Sequence, residues 1–296
     1  MISTRRKPRY TLHDGFRMPM GFPPEGFRSA STYEPEAGDL FVSTYPKCGT
    51  TWMQYIVYLI LHRGADLPEG LTLGEVFPHL EEVGAEAARL LPAPRLLKTH
   101  LPLPMAPFVP AARYVYVARN PFDCAVSFYH HTRGFVQHYD FADGSFDDFF
   151  ECFLAGEVDF GDYFENLLPW HERRGEPNVL FLTYEGMRQN AEAAVRRVAA
   201  FLGLEHAAAV EDAAVLARIL EHSSFASMRR RQLRWSSARP PGMPEFVRKG
   251  VVGDWRSHFS AEQARRLARK FGDVTGGRGA YELWPEIVTE ALQRSR

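Results

Sequence analysis

Short blocks of consecutive apolar and β-branched residues alternate along the chain with longer stretches in which apolar positions recur every three or four residues. Leu40–Tyr45, Leu96–Thr99, Arg113–Arg119 and Val179–Tyr184 are of the first kind. In Tyr114-Val115-Tyr116-Val117-Ala118 no polar residue alternates with the apolar ones, the pattern of a strand covered on both faces. The second kind includes Thr50 to about Arg63 and the series Met187, Ala191, Ala194, Val198, Phe201, a helical spacing that stops near Gly203. Asn120, Pro121 and Asp123 read as an N-cap, a first-turn proline and a first-turn acid, so a helix is expected to begin there. Ala208–His222 is expected to be helical as well. Strands separated by helices imply βαβ units in a mainly parallel sheet, with ligands at the carboxyl ends of the strands.

Length and composition narrow this picture. The 296 residues allow one large α/β domain or two small ones, at roughly 100–200 residues each. No repeat or linker divides them, so a single α/β domain is expected, its parallel central sheet flanked by helices. Residues 1–38, rich in Gly and Pro, read as an irregular surface arm, and 39–296 as the domain. The formal charge of -1 argues against nucleic acid or an anionic membrane as the main partner. Three cysteines with no C-x-x-C spacing fit a reducing compartment, hence the cytoplasm. The apolar run Tyr55–Leu61 falls far short of the ~20 residues a membrane span needs. The basic N-terminal residues Arg5, Arg6, Lys7 and Arg9 are followed by no apolar region, so no signal peptide is expected.

One segment departs from the neutral average. Met228–Val252 carries Arg229, Arg230, Arg231, Arg234, Arg239, Arg248 and Lys249 against the single acid Glu245. Such a stretch is either a solvated surface or a clamp for an anion.

Chemistry enters at Tyr45-Pro46-Lys47-Cys48-Gly49-Thr50-Thr51-Trp52, between an expected strand and an expected helix. A turn that brings amides, a lysine and two hydroxyls to a helix N-terminus favours a phosphate there. The logic is that of a P-loop but the pattern G-x-x-x-x-G-K-[ST] is absent, which disfavours an ATPase or GTPase.

This segment resembles the nucleotide-phosphate loop of the cytosolic sulfotransferases, which use 3′-phosphoadenosine 5′-phosphosulfate (PAPS). Three further segments resemble that family in the same order. Lys98-Thr99-His100-Leu101-Pro102 is similar to its catalytic segment, and Val117-Ala118-Arg119-Asn120 through Ser127-Phe128-Tyr129 to its 3′-phosphate segment. Phe246-Val247-Arg248-Lys249-Gly250 with Gly253-Asp254-Trp255 resembles its C-terminal clamp.

The resemblance implies that PAPS is the co-substrate and PAP the product, without a metal. It gives Lys47 the leaving phosphate, Cys48, Gly49, Thr50, Thr51 and the Trp52 amide the 5′-phosphate, and Trp52, Phe225 and Tyr184 the adenine. Arg119, Ser127, Arg248, Lys249 and the Gly250 amide would hold the 3′-phosphate, with Ser223, Met228 and Phe246 in the same cofactor set. Residues 228–252 then become a cofactor-capping loop, with Arg229–Arg231 left solvated. His100 would be the general base, since a neutral imidazole can accept a hydroxyl proton. Lys98, two residues back on an extended strand, points the same way and would face the sulfuryl oxygens, so Lys47, Lys98, His100 and Ser127 form the catalytic set. His62, His79, His206 and His222 are expected to pack structurally.

Cys48 stands where the family commonly has Ser, and Pro121-Phe122 where Ala-Lys is common. The stretch Arg256 to Arg265 lacks the Thr-Val centre and closing Glu of the animal dimer motif, which implies a monomer or a homodimer through another surface. The acceptor is expected to be a small apolar or phenolic hydroxyl compound or an amine, with Phe22, Phe77, Phe135, Tyr139 and Phe141 as candidate lining. A nucleoside kinase is disfavoured by the absent Walker pattern. A non-catalytic PAP-binding sensor is disfavoured because Lys47, Lys98, His100 and Ser127 are all present.

Overall fold

The computed structural model describes residues 6–294, so residues 1–5 of the arm, with Arg5, and the last two of the domain lie outside the described residues. The arm is not irregular. β1 (Thr11–His13) and β2 (Phe16–Met18) pair as an antiparallel hairpin, and α1 spans Pro24–Ser31 with proline in its first turn. Phe27, Ala30 and Tyr33 recur every three residues and are buried. Prolines and glycines had masked that short stripe.

The four apolar blocks form one parallel sheet in the order β4-β3-β5-β6, with β3 Leu40–Ser43, β4 Leu96–Thr99, β5 Arg113–Ala118 and β6 Val179–Thr183. Successive side chains of a strand point to opposite faces. Val42, Val115, Val117 and Leu182 accordingly join one core, beneath α2 (Thr50–Leu61), and Phe41, Leu97, Tyr114 and Tyr116 join the other, with Phe128 and Trp170. Both faces are covered, which is why β5 shows no polar alternation. β3 has β4 on one side and β5 on the other, so the chain reverses direction across the sheet at β3, where open α/β sheets bind ligands.

α3 (Leu73–Val76) follows α2, and three more helices carry site residues or their supports: α4 (Leu80–Arg89), α5 (Pro121–Gly134) and α6 (Val136–Tyr139). Asn120 caps α5 by accepting the Asp123 amide at 2.9 Å. The expected helix over Ala208–His222 is two, Leu204–Ala209 and Ala213–His222, because Asp212 caps the second. The basic segment is partly helical: Phe225–Arg230 is an α-helix and Gln232–Arg234 a 3-10 turn. Arg231 is not solvated, because it pairs with Asp66, and Arg234 donates to the carbonyls of Leu67 and Pro68. These bonds moor the segment to the loop that follows α2.

Candidate active site

The carboxyl ends of β3, β4, β5 and β6 deliver Lys47, His100, Arg119 and Tyr184 to one cavity of about 480 Å³. Between β3 and α2 the chain turns through two left-handed residues, Lys47 at φ +69° and Gly49 at φ +103°. A non-glycine residue held there costs roughly 1–3 kcal/mol, so the fold spends stability to aim this lysine. Gly49 begins α2 without a side-chain cap, which leaves the first-turn amides free for an anion. A Cβ at Gly49 would also lie 3.0 Å from the Tyr184 ring.

Lys47 Nζ lies 3.2 Å from His131 Nδ1 and 4.4 Å from the Phe246 ring centroid, and no acid pairs with it among the described residues. Burial, then Arg239, Arg119 and Lys98, push its pKa down to about 7. Burying a cation without a counter-charge is costly, and an anion beside it would relieve that cost.

His100 follows β4. Its Nδ1 lies 2.8 Å from the Thr44 carbonyl, which can only accept, so Nδ1 carries the proton and Nε2 keeps a lone pair. The Thr44 hydroxyl is 2.6 Å from Thr50 Oγ1 and 3.2 Å from the same Nδ1. The backbone of His100 is fixed by Glu81 of α4, whose Oε1 accepts from Thr99 Oγ1 at 2.6 Å, the His100 amide at 2.8 Å and the Leu101 amide at 3.0 Å. Asn166 Nδ2 donates to the His100 carbonyl at 3.0 Å. Burial, then His79 and Lys98, push the imidazole well below the usual histidine range. The imidazole is thus neutral and base-competent at neutral pH. Lys98 lines the same cavity, and burial lowers its pKa too.

Arg119 follows β5. Its guanidinium stacks 4.4 Å from the Tyr184 ring centroid, donates to the carbonyls of Lys47 at 3.3 Å and Val251 at 3.2 Å, and leaves Nε buried without a partner. The Val251 bond joins β5 to the clamp. Ser127 of α5 and Arg248, Lys249 and Gly250 line the cavity beside it. Arg248 and Lys249 both pair with Asp254, the lysine at 2.7 Å. Burial alone would raise the Asp254 carboxyl, but its bonds to Lys249 and Arg248 hold it at about 2. Gly250, at φ +63°, has no room for a side chain: a Cβ would sit 2.4 Å from the Phe225 ring. Asp123, one turn into α5, accepts the amides of Gly253 at 2.7 Å and Trp255 at 3.0 Å and so seats the clamp against β5's helix.

Thr50, Thr51, Trp52, Ser223, Phe225, Met228 and Phe246 also line the cavity, and the Trp52 and Tyr184 rings stand 5.6 Å apart at 70°. Cys48 does not line it. Its thiol is fully buried beneath the turn, 3.8 Å from Cys124 Sγ, which leaves only its backbone for a phosphate. At the other end Phe22, Phe135 and Tyr139 are lining residues, whereas Phe77 and Phe141 are fully buried core. His79, expected to be structural, lines the cavity with its ring 4.9 Å from that of His100. Sequence reasoning missed Thr44, Glu81, His131, Asn166, Asp159 and Phe160. His131 had a signal, since it lies four residues after Ser127 on the same helix face.

The chain matches the sulfotransferase domain family over residues 37–279. It is 36% identical to sulfotransferase 1C2 of the rabbit, Oryctolagus cuniculus, over 251 residues, covering 80% of this chain and 82% of that protein. It is 34% identical to human sulfotransferase 2B1 over 98% of this chain and 80% of that protein. Among solved structures it is similar to mouse sulfotransferase SULT7A1 complexed with PAP, with a TM-score of 0.74, 26% identity, and coverage of 95% and 99% of the two chains. Retinol dehydratase in complex with retinol and PAP shares the fold at a TM-score of 0.71 and 24% identity, with 84% of each chain covered. The chain belongs to the sulfotransferase family, and the enzyme it forms transfers a sulfuryl group.

Proposed function

We propose that the enzyme moves the sulfuryl group of PAPS to the hydroxyl of a small apolar or phenolic acceptor, with His100 as general base. The observation that carries this is the Nδ1 contact of His100 with the Thr44 carbonyl, which leaves a neutral Nε2 in the cavity that Lys47 and Lys98 also line. The site fits PAPS. Among the described residues Arg119 has an orphaned buried Nε and Lys47 has no acid partner, and the first amides of α2 are unspent.

PAPS supplies the sulfuryl group and the leaving phosphate. The α2 amides with Thr50 and Thr51 hold the 5′-phosphate, and Arg119, Ser127, Arg248, Lys249 and the Gly250 amide hold the 3′-phosphate. Trp52, Phe225 and Tyr184 surround the adenine. His100 Nε2 takes the acceptor's hydroxyl proton, while Thr44 keeps the ring in the tautomer that can do so. Lys47 offsets charge on the leaving group and Lys98 charge on the sulfuryl oxygens, both in a site where burial strengthens electrostatics.

We assign residues 39–296 to the catalytic domain, capped by 228–252. The protein works in the cytoplasm, in keeping with three unpaired cysteines. It is a monomer or a homodimer through another surface, since the stretch Arg256 to Arg265 lacks the Thr-Val centre and closing Glu; here Arg256 pairs with Glu290 and Ser260 caps the helix Ala261–Thr275. Labelled PAPS offered with a panel of phenols, sterols, alcohols and amines tests transfer and acceptor class. Labelled product is expected with at least one phenol or alcohol, and its absence across the panel, with PAP binding intact, would overturn the assignment.

A further inference from the structure

The acceptor end of the cavity contains an acid that the transfer chemistry does not use. Asp159 is 1% exposed, and it lines the same cavity as Phe22, Tyr139 and Phe160. Its Oδ2 accepts from the Tyr139 hydroxyl at 2.8 Å, while Oδ1 is buried with no partner. No ion pair reaches it among the described residues. Of the cations that line or border the cavity, Lys47 is turned to His131 and Phe246, Arg119 to Tyr184 and two carbonyls, Arg188 to Trp52, Arg248 and Lys249 to Asp254, Lys98 lies within electrostatic reach of Glu82 and Glu81, and Arg239 covers the face of Phe135, 3.5 Å from its centroid.

The backbone places this carboxyl on purpose. Phe160 is held at φ +61° and Gly161 at φ +76°, and the Phe160 amide donates to the Arg17 carbonyl at 3.0 Å. Left-handed geometry at a phenylalanine is a strained choice. Its effect is to set the Phe160 ring 5.1 Å from the His100 ring and 6.4 Å from that of Phe22. The residue before it, Asp159, is thereby fixed one position from the wall that flanks the base.

Burial pushes the Asp159 carboxyl up to about 7, and only the Tyr139 bond and its own amide oppose this. A carboxylate in that position lacks a positive partner. A proton can fill the role, and so can a cation that enters from the cavity. Aromatic faces around an unpaired carboxylate are the surroundings that favour an ammonium group, through cation–π attraction and a charge-assisted hydrogen bond.

We infer that Asp159 is an ammonium-recognition site, selecting hydroxyl acceptors that carry a protonated amine away from the reacting oxygen. The inference rests on the assignment of this end of the cavity to the acceptor. Tyramine and para-propylphenol are nearly isosteric and differ in the charge at the end of the arm, so the pair isolates the effect.

Calorimetry on the PAP-saturated protein reads acceptor binding without the chemistry, which separates a failure of amine recognition from a failure of transfer. Tyramine is expected to bind on the order of tenfold tighter than para-propylphenol, and Asp159→Asn to erase that preference while PAP still raises the melting temperature. Equal or tighter binding of para-propylphenol to the unaltered enzyme overturns the inference, whatever the fate of the variant. A preference for tyramine that survives in Asp159→Asn overturns it too.

Discussion

Nζ of Lys47 lies 3.2 Å from Nδ1 of His131, and burial, then Lys47 and Arg239, hold that imidazole well below the usual histidine range. The lysine therefore leans on a neutral acceptor rather than on an acid, and its charge stays uncompensated until an anion arrives.

That arrangement links cofactor binding to protons. In the free enzyme Lys47 is about half charged near pH 7, since its pKa is depressed to about 7. An anion beside it favours the charged form and raises the pKa. Below about 7 the lysine is already protonated and binding takes up little; above it, binding must draw a proton from solvent. PAP titrated at pH 8 in buffers of different ionisation enthalpy is expected to show net uptake approaching one proton. Its Kd should weaken by up to about tenfold per pH unit above neutrality, until the bound-state pKa is reached. Uptake of no protons would place Lys47 outside the anion site.

The base should show itself at acid pH. His100 is pushed well below its ordinary value by burial, then by His79 and Lys98. Nε2 is thus already unprotonated at neutral pH, and turnover with an alcohol should climb only in the acidic range and be flat above about 6.5. His100→Asn should cut turnover by at least ~10²-fold, with PAP affinity little altered. An enzyme that keeps most of its rate after that change has another base.

The clamp should discriminate nucleotides by their 3′-phosphate. Replacing Arg248 and Lys249 together with Ala removes two charge-assisted contacts of ~1.5–3 kcal/mol each, so the PAP Kd should rise at least tenfold. Thermal shift should then respond alike to PAP and to AMP, whereas the unaltered enzyme should respond to PAP alone. High salt should weaken that response.

Glu81 tests how far the catalytic strand depends on α4. Its Oε1 gathers three donors at the end of β4, all buried. Glu81→Ala orphans them, at ~1–3 kcal/mol for each group left unsatisfied, so the denaturation midpoint should fall and kcat should fall with it. Loss of kcat without loss of stability would mean that Glu81 acts on the chemistry directly.

Elements whose pattern is local were legible in the chain. β5 was marked by its unbroken apolar run, α5 by Asn120 and Pro121, and the anion turn by Lys47, Gly49 and Thr50 between a strand and a helix. The cofactor set converges except for Cys48, whose side chain the turn folds underneath. The supports were not legible, because each reaches across the fold: Asn166 is 66 residues from His100, and His131 is 84 from Lys47. Nothing in the sequence sets Glu81 apart from its neighbour Glu82. Asp159 carried no signal at all, since a carboxylate beside Gly161 reads as a turn.

The N-terminal arm reaches the cavity. Pro19 and Phe22 line the cavity, and the Arg9 and Met20 amides donate to the carbonyls of Tyr139 at 2.7 Å and His138 at 3.1 Å. All four arm residues precede position 37, where the family match begins, whereas Lys47, Arg119, Ser127 and Arg248 follow it. The boundary drawn by family likeness thus excludes part of the working pocket. A recombinant protein trimmed to the shared domain would keep Lys47, Arg119, Ser127 and Arg248 and yet lose Pro19 and Phe22 from the wall of the cavity.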